Sequence, residues 1–242
     1  MNHSFNFRQF KSEPQILLHF ELEWAFYKKI LLISVFACTP FSNILQASED
    51  YWISLVPSII ANEIAIVDTL VTCHNVNTPD KDGYRALHYT ASNNKPEIVT
   101  LLIEKYKANV NVQTHTQSTP LHQACENGCI SVVNILLKHK ADVSMTTIRN
   151  STAMHCAAAA WSKPILEALS HHIAELSRRT GKTLASYVEH INIFEQTPLD
   201  VARSYYRSVP LTREQMVAQV DTIAFLTSIS AHERDDIHRP YK

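Results

Sequence analysis

"STPLHQACENGCISVVNILLKHKADV", residues 118–143, places a His, two Cys and a second His within one short run. These are the residue types of metal sites and thiol catalysts, yet the apolar spacing speaks first. Ser118 and Thr119 supply a helix cap, and Pro120 follows at the first helical position, where its missing N–H costs nothing. Leu121, Ala124 and Cys125 recur at i, i+3 and i+4, and Gly128 ends that helix. Val132, Val133, Ile135, Leu136 and Leu137 then form a second apolar run. The stretch reads as a short helix, a tight turn and a second helix.

A lone helical hairpin cannot bury both its faces, so the unit should recur along the chain. "RALHYTASNNKPEIVTLLIEKYKANVN" (85–111), "TPLHQACENGCISVVNILLKHKADVS" (119–144) and "TAMHCAAAAWSKPILEALS" (152–170) align with His88, His122 and His155 in register, 34 and 33 residues apart. "TPLDVARS" (197–204) restarts the pattern with Asp200 where His stood, 45 residues on, which implies an insertion. Upstream, "NEIAIVDTLVTCHNVN" (62–77) reads as the second half of one more unit.

Period and residues together resemble the ankyrin repeat family over roughly residues 52 to 229, through "TPLH", the Asp80 to Gly83 "D-x-x-G", and the paired "IV…LL" and "VV…LL" endings. The resemblance implies an all-α, ankyrin-type solenoid of stacked helix-turn-helix repeats with short hairpin loops and a helical insertion. It also implies that loop tips and inner helices bind another protein. Departures from the family pattern carry their own expectations. Asn94 replaces the turn Gly in one repeat, and Trp161 replaces it in another, so that turn is expected to be built differently. Lys107 and Lys140 replace a Gly at the ends of second helices, which predicts looser capping and some local strain or fraying. Ile173, Leu176, Leu184, Val188 and Ile191 make the insertion near 171–191 read as added helix.

Composition excludes some functions. The 242 residues carry 22 Lys plus Arg against 23 Asp plus Glu, a net charge of −1 that gives no basic field for nucleic acid. Three Gly disfavour a phosphate cradle, and five unpaired-looking Cys read as reduced thiols. His122, Cys125 and Cys129 share one face only on a continuous helix, which Gly128 interrupts, and zinc would lack a fourth ligand. His155 and Cys156 are neighbours in sequence, about 100° apart on a helix, so they do not form a dyad. "GKT" at Gly181 to Thr183 lacks the upstream Gly of a phosphate loop, because Leu176 stands there. His171 and His172 read as a solvated helix end. No catalytic residue, metal ligand or cofactor is assigned.

At the N-terminus, Lys28 and Lys29 precede the apolar "ILLISVFAC" (30–38), and Ala47 offers a small-residue cleavage position. Residues 1–47 are therefore expected to be a signal-like or membrane-associated extension, 48–229 the repeat domain and 230–242 a charged tail. The extension points to an exported or host-directed effector, with cytoplasmic residence as the alternative. A solenoid cap, a membrane tether through 30–47 and an enzyme housed in the 171–191 insertion stay open at this point. Aligning the repeats puts Lys81, Asp82 and Tyr84, then His115, Thr116 and Ser118, then Ile148, Arg149 and Ser151 at successive loop tips. Tyr89, Gln123 and Cys156 take matching inner-helix positions, and Trp161 is either an anchor exposed beside them or a ring folded under the 171–191 insertion.

Overall fold

A computed structural model describes residues 43–180, 183–204 and 211–237 of the chain. The chain divides into two compact units, Met1–Glu49 and Asp50–Lys242. Of the first, only residues 43–49 are described, as the opening turns of a helix; the apolar segment 30–38 lies outside the described residues. The second unit holds the repeats. No helix among the described residues is long and apolar enough to cross a membrane.

The described elements are helical. Helix α1 (Asn43–Ile60) is followed by α2 (Ile64–Leu70), α3 (Ala86–Ser92) and α4 (Pro96–Thr100), which runs on into a wider π-wound turn, Leu101–Lys105. Then come α5 (Pro120–Glu126), α6 (Ile130–Lys138), α7 (Ala153–Ala159), α8 (Lys163–Thr180), α9 (Ala185–Val188), α10 (Pro198–Arg203) and α11 (Arg213–Ile237). The inner helices α3, α5 and α7 have seven residues each, too short to persist alone in water. Burial holds them: Ala86, Leu87, Ala91, Leu121, Ala124, Cys125, Ala157 and Ala158 are almost wholly out of solvent. Their small side chains let α3, α5, α7 and α10 stack directly, each on the next, while α4, α6, α8 and α11 stack behind them through Ile98, Leu102, Val132, Leu136, Ile165, Leu169 and Leu226.

The last turns of α1 are the inner helix that pairs with α2, with Leu55 and Ile59 fully buried. This completes the unit of which residues 62–77 were the legible half. The expected insertion is helical over most of its described length, α8 continuing to Thr180 and α9 burying Val188, but Ile191 lies beyond α9 in the loop and is 51% exposed, so it is not part of an added helix. Helix α11 reaches Ile237, inside the stretch expected to be a charged tail, and residues 238–242 lie outside the described residues.

The end of α1 and the inner helices α3, α5 and α7 close by one motif, whereas α10 ends in an extended Ser204. Residues Asn62, Asn94, Gly128 and Trp161 take left-handed φ angles of 61°, 52°, 72° and 51°. The next N–H reaches back to the helix, as in Cys129 N–H to the Ala124 carbonyl at 2.9 Å and Ser162 N–H to the Ala157 carbonyl at 3.1 Å. The turn at Trp161 is thus built like the others, contrary to the expectation from its side chain. Of the strain or fraying expected at Lys107 and Lys140, the structure shows the strain: these lysines adopt φ of 59° and 64°, yet Ala108 and Ala141 N–H groups close the caps at 2.9 Å on the Leu102 and Leu136 carbonyls. Those backbone hydrogen bonds outweigh the left-handed strain, which remains stored. Lys140 is exposed, so Lys140→Gly removes that strain at little cost in contacts. It should raise the unfolding free energy by about 1 kcal/mol, read from denaturant midpoints.

The two helix layers leave unpartnered polar groups, among the described residues Ser170 on α8 and Thr222 on α11. Thr222 on α11 is fully buried, and its hydroxyl finds no partner among the described residues. Thr222→Val keeps the shape and removes the stranded polar group, so it should stabilise by roughly 1 kcal/mol in the same assay.

Candidate partner-binding surface

Hairpin loops join the repeats, each closed by a five-residue pairing. Asp80 N–H bonds the Tyr84 carbonyl, Thr114 the Ser118 carbonyl, Thr147 the Ser151 carbonyl and Asn192 the Gln196 carbonyl, at 2.8–3.0 Å. Consecutive tips are tied together by His115 N–H to the Asp82 carbonyl (3.2 Å), Ile148 N–H to the Thr116 carbonyl (3.0 Å) and Ile193 N–H to the Arg149 carbonyl (3.0 Å). Gly83 is required where the first two tips meet. A Cβ there would stand 2.7 Å from the His115 nitrogen, and the φ is +83°.

Beneath the tips runs a ladder of buried imidazoles. Backbone N–H groups of Arg85, Thr119 and Thr152 donate to Nδ1 of His88, His122 and His155, at 3.0, 3.3 and 3.2 Å. That leaves Nε2 as the protonated nitrogen, and it donates to the carbonyls of Ser118, Ser151 and Gln196 at 3.1, 3.2 and 3.0 Å. Each ring thus caps its own helix and grips the next hairpin. Burial holds the three in the neutral form, pushing His88 and His122 down to about 4 and His155 in the same direction. Asp200 keeps the capping half of the role, accepting from Thr197 N–H at 3.1 Å and from its hydroxyl at 2.7 Å. As a carboxylate it has no N–H to grip a further hairpin, and those hydrogen bonds hold its carboxyl below the usual range.

The thiols of the opening stretch are packing groups. Cys125 is wholly buried on α5, and Cys129 opens α6 after the Gly128 turn. Burial raises both thiols, and lifts Cys156 to about 12, so none is a ready nucleophile. His155 points its nitrogens at Thr152 and Gln196, not at Cys156.

The sequence-derived site residues divide in three. Lys81, Asp82, His115, Thr116, Ile148 and Arg149 are exposed and lie on consecutive tips, as the alignment placed them. Tyr84, Tyr89, Gln123, Ser151 and Cys156 are half-buried. Tyr89 packs on Trp52 and Tyr84 with centroids at 5.7 and 5.5 Å and donates its hydroxyl to Asp80 at 2.6 Å, so much of its surface serves the stack. Gln123 donates to the Ser118 hydroxyl at 3.1 Å. Ser118 and Trp161 are not surface residues. Ser118 is 6% exposed because its carbonyl is the acceptor of His88, and Trp161 is 8% exposed with its indole N–H on the Ala202 carbonyl of α10, 3.2 Å away.

The alignment placed Ile148 on the rim but missed its other large apolar residues. Ile148, Ile191, Ile193 and Phe194 are 55%, 51%, 58% and 60% exposed at the third and fourth tips. Asn150 ties the two tips, its side-chain amide donating to the Ile191 carbonyl at 2.8 Å. Setting Asn192–Gln196 against Asp80–Tyr84 would have found Ile193 and Phe194, since both pentads share the hairpin pairing.

The sequence model of ankyrin repeats (three copies) matches residues 58–147 and 106–180, together just over half of the chain. The chain belongs to the ankyrin repeat family. No curated protein matches it. Ankyrin repeats are in general protein–protein interaction modules.

Proposed function

We propose that this ankyrin protein captures a partner protein on the rim formed by its hairpin tips, with Ile148, Ile193 and Phe194 as apolar anchors. Lys81, Asp82, His115, Thr116 and Arg149 supply the polar surround, with Tyr84 and Gln123 beneath. The observation that carries the reading is the patch of four large apolar side chains, each more than half exposed, on two hydrogen-bonded tips. Buried aromatic and aliphatic anchors ringed by polar groups are the usual energetic centre of an interface. A photo-crosslinking residue placed at position 193 should trap a discrete partner that one placed at Lys138, exposed on outer helix α6, does not. Equal trapping at both positions would count against a rim site.

We further propose that the partner is met outside the cytoplasm or at a membrane surface, on the order Lys28, Lys29, then apolar 30–38. Fractionation of the full chain beside one lacking residues 1–47 tests this; identical soluble distributions would refute it.

A further inference from the structure

Hairpin four, His190–Gln196, differs from the others in how it is held. Its internal bonds are complete: Asn192 Oδ1 accepts from Phe194 and Gln196 N–H groups at 2.8 and 3.1 Å, so it can move as a unit. The second and third hairpins are gripped from both sides, by a tip before and a tip after. Among the described residues hairpin four has a gripping tip on one side only, and Asp200 replaces the imidazole that would grip a successor. Two of its ties to the preceding repeat are imidazoles. His155 Nε2 donates to the Gln196 carbonyl at 3.0 Å, and His190 Nε2 lies 3.2 Å from the Asn150 carbonyl. The two rings stand edge to face, with centroids 5.9 Å apart.

We propose that hairpin four is an acid-released element, detached from the third hairpin by protonation of His155 while the remaining stack stays folded. A proton on His155 must go to Nδ1, which is occupied as acceptor for Thr152 N–H, in a site almost closed to water. The His190 ring, edge to face against it at 5.9 Å, offers no acceptor charge to an imidazolium there. The groups acting on His155 are His190, His122 on α5 and the carbonyls of Gln196 and His190. Helix α7 itself contributes no charge beyond the thiol Cys156. Arg149, Glu189 and Glu195 are exposed on or beside the hairpins, and Asp200 on α10 is engaged by Thr197. Among the described residues, no carboxylate is both buried and hydrogen-bonded to the His155 ring. Release would separate Ile191, Ile193 and Phe194 from Ile148; its effect on capture rests on the binding role proposed above, whereas the test does not.

The test is amide hydrogen exchange on the intact chain, corrected for the intrinsic pH dependence of exchange. Between about pH 7.5 and 5.5 the Ile193 amide should lose protection by about tenfold or more, while the Ile148 amide keeps its own. His155→Gln retains a donor without the charge and should move that loss to lower pH. Parallel loss at Ile193 and Ile148, no loss at Ile193, or a loss that His155→Gln leaves in place would each overturn the proposal.

Discussion

Truncating Trp161 to Ala should destabilise the fold by about 3–5 kcal/mol, the usual cost of removing a buried aromatic ring. The ring fills the junction between the repeat of α7 and α8 and the repeat of α10, and its N–H satisfies the Ala202 carbonyl. Gly at the same position loses the same ring but relieves the left-handed backbone of φ 51°. Trp161→Gly should therefore be less damaging than Trp161→Ala by about 1 kcal/mol, the reverse of the usual order within or beside a helix. Denaturant unfolding of the two variants measures the difference. Equal or inverted stabilities would show that the turn strain is not stored as described.

Acid should loosen the stack steeply. His88 and His122 have folded pKa values near 4, below the ordinary value of 6.5, so the unfolded chain binds more protons in that range. Their contribution is fully present above about pH 6.5 and is lost as pH falls toward 4. Each is worth on the order of 3 kcal/mol, lost between those limits, and two protons taken up on unfolding give a slope of about 3 kcal/mol per pH unit. Asp200 acts with the same sign in a lower window, its depressed carboxyl stabilising the fold until pH falls through it. Urea midpoints should thus be flat from about pH 8 to 7 and drop sharply below about pH 6. A midpoint that rises on acidification would contradict the neutral, two-ended role of the imidazoles.

The repeat register was legible because it is set by local chemistry: Thr-Pro caps, the imidazole three residues on, and a left-handed residue after seven helical positions. The same locality explains the gaps. The inner helix of the first pair, ending α1, lacks the cap motif and carries Pro57 inside it, so nothing in residues 51–60 announced it. Ser118 was placed on the surface, and Trp161 left between exposure and burial under the insertion, because the groups that meet them, the His88 ring and the Ala202 carbonyl, lie 30 and 41 residues away. The insertion shifted the fourth repeat out of period, which hid Ile191, Ile193 and Phe194 from an alignment built on a spacing of 33 or 34. Lys107, Lys140 and Trp161 show that a backbone position can impose a left-handed conformation on residues that disfavour it when neighbouring hydrogen bonds and packing are strong enough.

The binding rim is tested most directly by the affinity of the partner crosslinked at position 193 for the double variant Ile193→Ala with Phe194→Ala, measured beside thermal stability. Both side chains are exposed, so the melting temperature should stay almost unchanged, while affinity should fall by about 2 kcal/mol or more. Unaltered affinity in a normally folded variant would contradict the account.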